Sequence, residues 1–171
     1  MSVWQEIWST IAGQFSDIPD VKTLTLTTMR LFLAALLGGI LGFERESKAR
    51  SAGVRTHMLV AVGAALFVTG SVQSGMEIAD LSRVLQGIVQ GIGFLGAGAI
   101  IVRSNTQVQV EGLTTAAGIW GVAGIGVLVG LGLEATAILS TAIMLVILAL
   151  VPLIVTTAAK SGNDGSNPPD A

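Results

Sequence analysis

Apolar runs alternate with short charged connectors along this chain. The windows 24–43, 56–74, 84–102, 113–133 and 135–156 each approach the ~20 residues that a helix needs to cross a hydrocarbon layer of roughly 30 Å. They predict an all-α polytopic membrane protein, a bundle of five transmembrane helices occupying 21–157. Only 130–134 separates the fourth window from the fifth, so these two predict a tight antiparallel pair whose reversal is permitted by Gly130 and Gly132. Pro152 falls near the end of the fifth window, where neighbouring helices can satisfy the carbonyl it frees.

Before the first span, Val3, Trp4, Ile7, Trp8, Ile11 and Phe15 recur at helical spacing with Gln5, Glu6, Thr10, Gln14 and Asp17 between them. That pattern predicts an amphipathic helix within 1–20 lying in the membrane interface, the alternative being a frayed extension. No basic stretch precedes a continuous apolar run here, which argues against a cleaved signal peptide. The segment 158–171, rich in Gly, Asn, Ser and Pro, predicts a disordered tail.

Composition agrees with the membrane class, since 51% of the 171 residues are hydrophobic and 12% are charged. Arg45, Lys48, Arg50, Arg55, Arg103 and Lys160 fall on one side of the predicted topology, against Lys22 and Arg83 on the other. This bias predicts a multi-pass protein of the bacterial inner membrane, with the N-terminus outside and the C-terminus cytoplasmic. The absence of cysteine excludes disulfides and thiolate chemistry. Nucleic-acid binding is not expected, because the few basic residues are accounted for by orientation.

Helices in lipid associate through close packing and hydrogen bonds. Gly38 and Gly42, Gly87 and Gly91, and Gly126 and Gly130 each form a G-x-x-x-G pair, and the third and fourth spans, richest in glycine, are expected to form the tight centre. Gln86 and Gln90, one turn apart on the third span, read as interhelical hydrogen-bonding groups or as a polar pore lining.

Ionisable groups at membrane depth invite functional readings. Arg30, about two turns into the first span, could snorkel outward or pair with Glu134, the alternative being a site for a partner's carboxylate. On the cytoplasmic edge Glu44, Arg45, Glu46, Arg55, His57, Arg103 and Glu111 all fall near span ends and can converge. Such a cluster could be a salt-bridge network, a cation site or a docking surface. Glu44 and Arg55 are expected to be its most sensitive members. His57 could sense acid, or be a satisfied, partly buried histidine.

A Mg²⁺ site is not supported by ligand spacing, because Glu44 and Glu46 point to different sides of a helix and arginines outnumber the acids around them. No metal ligand set or cofactor is assigned. Enzyme chemistry finds no nucleophile group either: Gly91-x-Gly93-x-x-Gly96 resembles a dinucleotide loop in spacing but lies within an apolar run with no strand before it.

Taken together, Gly38-x-x-x-Gly42-x-Glu44-Arg45-Glu46, Gly53-x-Arg55-Thr56-His57 followed by Gly63-Ala64-Ala65-x-Phe67, Gly91-Ile-Gly-Phe-Leu-Gly-Ala-Gly98 and Gly112-Leu-Thr-Thr-Ala-Ala117-x-x-Trp120 resemble the MgtC/SapB family over roughly 30–135. The resemblance implies a five-span bacterial inner-membrane protein that serves adaptation to low Mg²⁺ and, in pathogens, survival inside host cells. It implies action through membrane-protein partners, the ATP synthase among them. Longer members carry a soluble domain after the last span, and no counterpart is found in this sequence. The expected function is non-enzymatic modulation of magnesium homeostasis within the lipid bilayer. The rival is a transporter or channel for Mg²⁺ or another cation, which would have to be a homo-oligomer because five short spans enclose little volume. A scaffold sharing the fold alone is the third reading.

Overall fold

The computed structural model describes residues 2–16, 20–104 and 108–163, with side chains described over 2–16, 20–100 and 110–151. Its elements run α1 (Val3–Gln14), α2 (Val21–Ser47), α3 (Val54–Gln73), α4 (Ile78–Gly98), β1 (Ile101–Ser104), β2 (Val108–Glu111), α5 (Leu113–Gly130) and α6 (Glu134–Asn163). The chain is an all-α membrane protein apart from one small hairpin. By length and composition, α2, α3, α5 and the 134–151 part of α6 are apolar enough to cross a membrane. The 21 residues of α4 match them in length but carry Arg83, Gln86 and Gln90.

Local chemistry sets the helix ends. Asp20 caps α2 by accepting the Thr23 N–H at 2.7 Å. The same helix stops where Ala49 turns left-handed at φ 52 and the Arg50 N–H closes back onto the Arg45 carbonyl at 3.1 Å. Between α5 and α6, Gly132 takes φ +80 and the Leu133 N–H reaches the Leu128 carbonyl at 2.9 Å, the tight reversal expected from the glycines.

The centre of the bundle is α3, which packs most extensively against α2 and α5. Close approach is what the glycines supply there. A Cβ on Gly38 would stand 2.7 Å from the His57 carbonyl oxygen, and one on Gly42 would stand 2.6 Å from the Val54 Cα. Gly126 and Gly130 likewise let α5 settle onto Ala61, Ala64, Ala65 and Val68. Leu37, Leu41, Val122, Ile125 and Val129 fill the space between. Such interdigitation maximises dispersion contact where lipid offers no hydrophobic driving force between helices.

Three expectations are corrected. Gly87 and Gly91 do not form the tight centre: nothing outside their own helix lies within 4 Å of a Cβ at either, Gly96 is the buried residue of α4, and both glycines face an apolar groove of about 560 Å³ between α3 and α4. The third span does not reach 102 as a helix, because α4 ends at Gly98 and Ile101 enters a strand paired with Glu111. The alternation of Val108, Gln109, Val110 and Glu111 has the period of a strand, and pairing in a hairpin satisfies backbone groups that would otherwise need a helix. Finally, α6 continues to Asn163, so 158–163 are helical rather than part of a disordered tail, while 164–171 lie outside the described residues.

The N-terminal segment forms α1, opened by Ser2 and Gln5, whose side chain accepts the Ser2 N–H at 3.1 Å. Trp4, Ile7, Trp8 and Ile11 are all exposed along it, and α1 contributes no buried residue. Asp17 lies outside the described residues.

Candidate functional site

One end of the bundle gathers the last turn of α2, the first turns of α3 and α5, and the hairpin. Successive residues on a helix point about 100° apart, so Glu44, Arg45 and Glu46 leave α2 in three directions. Arg45 turns inward and is 3% exposed. Its Nη1 lies 3.6 Å from Glu44 Oε2, while Lys48, one turn further on, brings Nζ to 2.5 Å from Glu44 Oε1. Lys48 also donates to the Leu148 carbonyl at 3.0 Å, tying α2 to α6.

Glu46 works across the connector instead. Its Oε2 accepts the Val54 N–H at 2.8 Å, satisfying a first-turn amide of α3 that the N-cap residue Gly53, having no side chain, cannot reach. His57 follows one turn later and is fully buried where α2, α3 and α5 meet. Its Nδ1 lies 3.0 Å from the Gly53 carbonyl and so carries a proton, which aims Nε2 at Gly118 of α5.

The structure therefore brings Glu44 and Arg45 into one ion pair and Glu46 and His57 into the α2–α3 junction beside it. Arg55 is not brought in: it sits exposed on α3, with no ion pair among the described residues. Glu111 is exposed on β2. Arg103 sits on β1 opposite Gln109, its side chain outside the described part. Arg45 and Glu111 share the wall of a cavity of about 680 Å³ with Arg50, Ser51, Thr114 and Thr115.

Gly112 makes this cavity possible. It precedes α5 at φ +93, where its backbone crosses so close to the Ala99 carbonyl that no Cβ would fit. The hairpin is thereby folded back against the C-terminal end of α4, and the start of α5 opens beside Arg45.

At the other end of the bundle, Arg30 Nε lies 3.5 Å from Glu134 Oε1, and Nη1 donates to the Gly130 carbonyl at 3.5 Å. The first span thus holds the α5–α6 reversal. Gln86 and Gln90 are exposed on α4.

As to metals, no group of three or more His, Cys, Asp and Glu side chains gathers among the described residues. Sequence reasoning missed Lys48 as a partner of Glu44, although the i, i+4 spacing was there to be read. It also missed Arg50, Ser51 and Thr115, for which only the positive φ of Gly112, invisible in sequence, supplies a signal.

Comparison with known proteins covers most of the bundle. Residues 31–157 match the MgtC family. Among curated proteins, the chain is 43% identical over 124 residues to SrpB of Synechococcus elongatus, covering 67% of this chain and 68% of that one. It is 47% identical over 136 residues to MgtC of Brucella abortus, covering 78% of this chain and 55% of the relative. YhiD of Escherichia coli K12, whose name describes a candidate magnesium transporter, is 39% identical over 127 residues, or 70% of this chain and 58% of YhiD. The chain thus spans little more than half the length of the last two relatives. No solved structure matches it. On the extent of the family match and the identity to SrpB, the chain belongs to the MgtC family.

Proposed function

We propose that this protein serves magnesium homeostasis in the bacterial inner membrane as a non-enzymatic modulator of other membrane proteins, with its charged end cytoplasmic. The observation that carries this reading is the engagement of both α2 carboxylates at that end. Glu44 is held by Arg45 and Lys48, and Glu46 is committed to the Val54 amide. A hydrated divalent cation needs oxygen ligands free to face it, and a selective pore needs rings of them. The Mg²⁺ connection itself is supported by the name of YhiD and by kinship with MgtC.

A partner could be met by α4, whose outer face carries exposed Val89 and Phe94 along with Gln86 and Gln90. The ATP synthase is the partner that family resemblance suggests. Direct transport remains the rival, and the exposed glutamines are the observation in its favour, since copies joined through α4 would place them around an axis. Deleting the gene and following growth and membrane potential at limiting Mg²⁺ tests the reading. The deletion strain should fail under limitation and recover with the wild-type chain, with a membrane protein cross-linked to α4 in the rescued cells. Rescue with no cross-linked partner other than a second copy of the chain would contradict modulation.

A further inference from the structure

The cavity at the charged end concentrates groups that recognise oxyanions. Arg45 lines it, is 3% exposed, and carries a buried Nε–H with no acceptor among the described residues, only its Nη1 being engaged by Glu44. A structural ion pair alone leaves that donor unmet, which buried groups rarely tolerate. The first turn of α5 opens onto the same space. Its N-cap, Gly112, has no side chain to satisfy the leading amides, and no acidic residue occupies that turn. The positive end of an 18-residue helix therefore meets the cavity, with Thr114 and Thr115 of its first turn in the lining.

Arg50 and Ser51, from the α2–α3 connector, close the other side. Glu111 is the acid in the described lining, set against two arginines and the helix terminus. Arg45 is already paired with Glu44, so Arg50 and the helix terminus supply the positive charge set against Glu111, and the donors come from three separate elements. Such convergence suits a tetrahedral group with several oxygens better than a planar carboxylate. Guanidinium and helix N-termini are also the groups that phosphate selects.

We propose that this cavity binds a phosphate group, held by Arg45 and Arg50 on one side and by the first turn of α5 on the other. The proposal does not depend on the function proposed above. A phosphodiester of an anionic phospholipid and free inorganic phosphate share this chemistry, and the position where α2, α4 and the hairpin leave the apolar part of the bundle is open to both.

The test uses the purified full chain stripped of lipid. In one arm inorganic phosphate is titrated calorimetrically against chloride at matched ionic strength. In the other, the detergent-solubilised chain is titrated with short-chain phosphatidylglycerol against short-chain phosphatidylcholine, and the lipid bound per chain is compared. Saturable binding is expected in at least one arm, phosphate alone identifying a free oxyanion and phosphatidylglycerol alone identifying a headgroup. Arg50→Gln should weaken it about tenfold, the scale of one lost charge-assisted contact. Glu111→Gln should tighten it, and Arg55→Gln, outside the cavity, should leave it unchanged. Arg45→Gln also strips Glu44 of a partner and can lower folding yield, so Arg50→Gln at its exposed position carries the decision. The proposal is overturned by an absence of saturable binding in both arms, by binding indifferent to Arg50→Gln, or by an equal loss in Arg55→Gln, which would mark diffuse surface charge.

Discussion

Glu44 and Arg45 are neighbours in sequence and partners in space, their side chains meeting at 3.6 Å across the inward side of α2. Arg45 is nearly sealed from solvent, so neutralising Glu44 leaves its charge without compensation. Glu44→Gln should destabilise the protein by about 3 kcal/mol. Lys48→Gln, at a side chain 39% exposed, should cost under about 1 kcal/mol. Unfolding midpoints in detergent should rank wild type, then Lys48→Gln, then Glu44→Gln.

The glycine pairs separate into two classes. Gly38→Leu must displace the His57 backbone and Gly126→Leu that of Ala61, each costing about 3 kcal/mol as an overpacked contact. Gly87→Leu and Gly91→Leu enter open space and should change stability by no more than about 0.5 kcal/mol. Thermal unfolding of the four purified variants checks the split. Loss of growth at limiting Mg²⁺ without loss of stability in the second pair would mark α4 as a working surface.

Arg30 and Glu134 join the first span to the start of α6, so their effects should not add. A double-mutant cycle on Arg30→Gln and Glu134→Gln should return a coupling of about 1 kcal/mol, with the double variant less damaged than the sum of the singles.

Ala49 holds a left-handed conformation at the end of α2 that disfavours a side chain. Replacing it by glycine should stabilise the protein by about 1 kcal/mol, read as a raised unfolding midpoint.

Residue spacing carried much of this architecture, and where it failed the physics is specific. Gly38 and Gly42 could be placed at a helix contact because a G-x-x-x-G stripe permits close approach. Gly87 and Gly91 have the same stripe and face a groove, since the spacing says that a helix could come close but not that one does. The hairpin was hidden because Ile101 and Val102 prolong an apolar run at its helical end, although the alternation from Val108 to Glu111 was present. At the charged end, the gathering of Glu44, Arg45 and His57 followed from their positions at span ends. The exposure of Arg55 did not, because the direction of a side chain in the first turn depends on how α3 rotates against α2. Arg50 and the threonines of α5 became visible only once Gly112 had folded the hairpin back against Ala99.

The central claim, that Glu44 and Glu46 are engaged within the charged end and that the protein acts on other proteins rather than on a passing ion, is tested most directly by Mg²⁺ flux. The purified chain in liposomes, with a trapped Mg²⁺ indicator, should show entry no faster than protein-free vesicles. Flux that appears with the wild-type chain and vanishes in folded Glu44→Gln protein would contradict it.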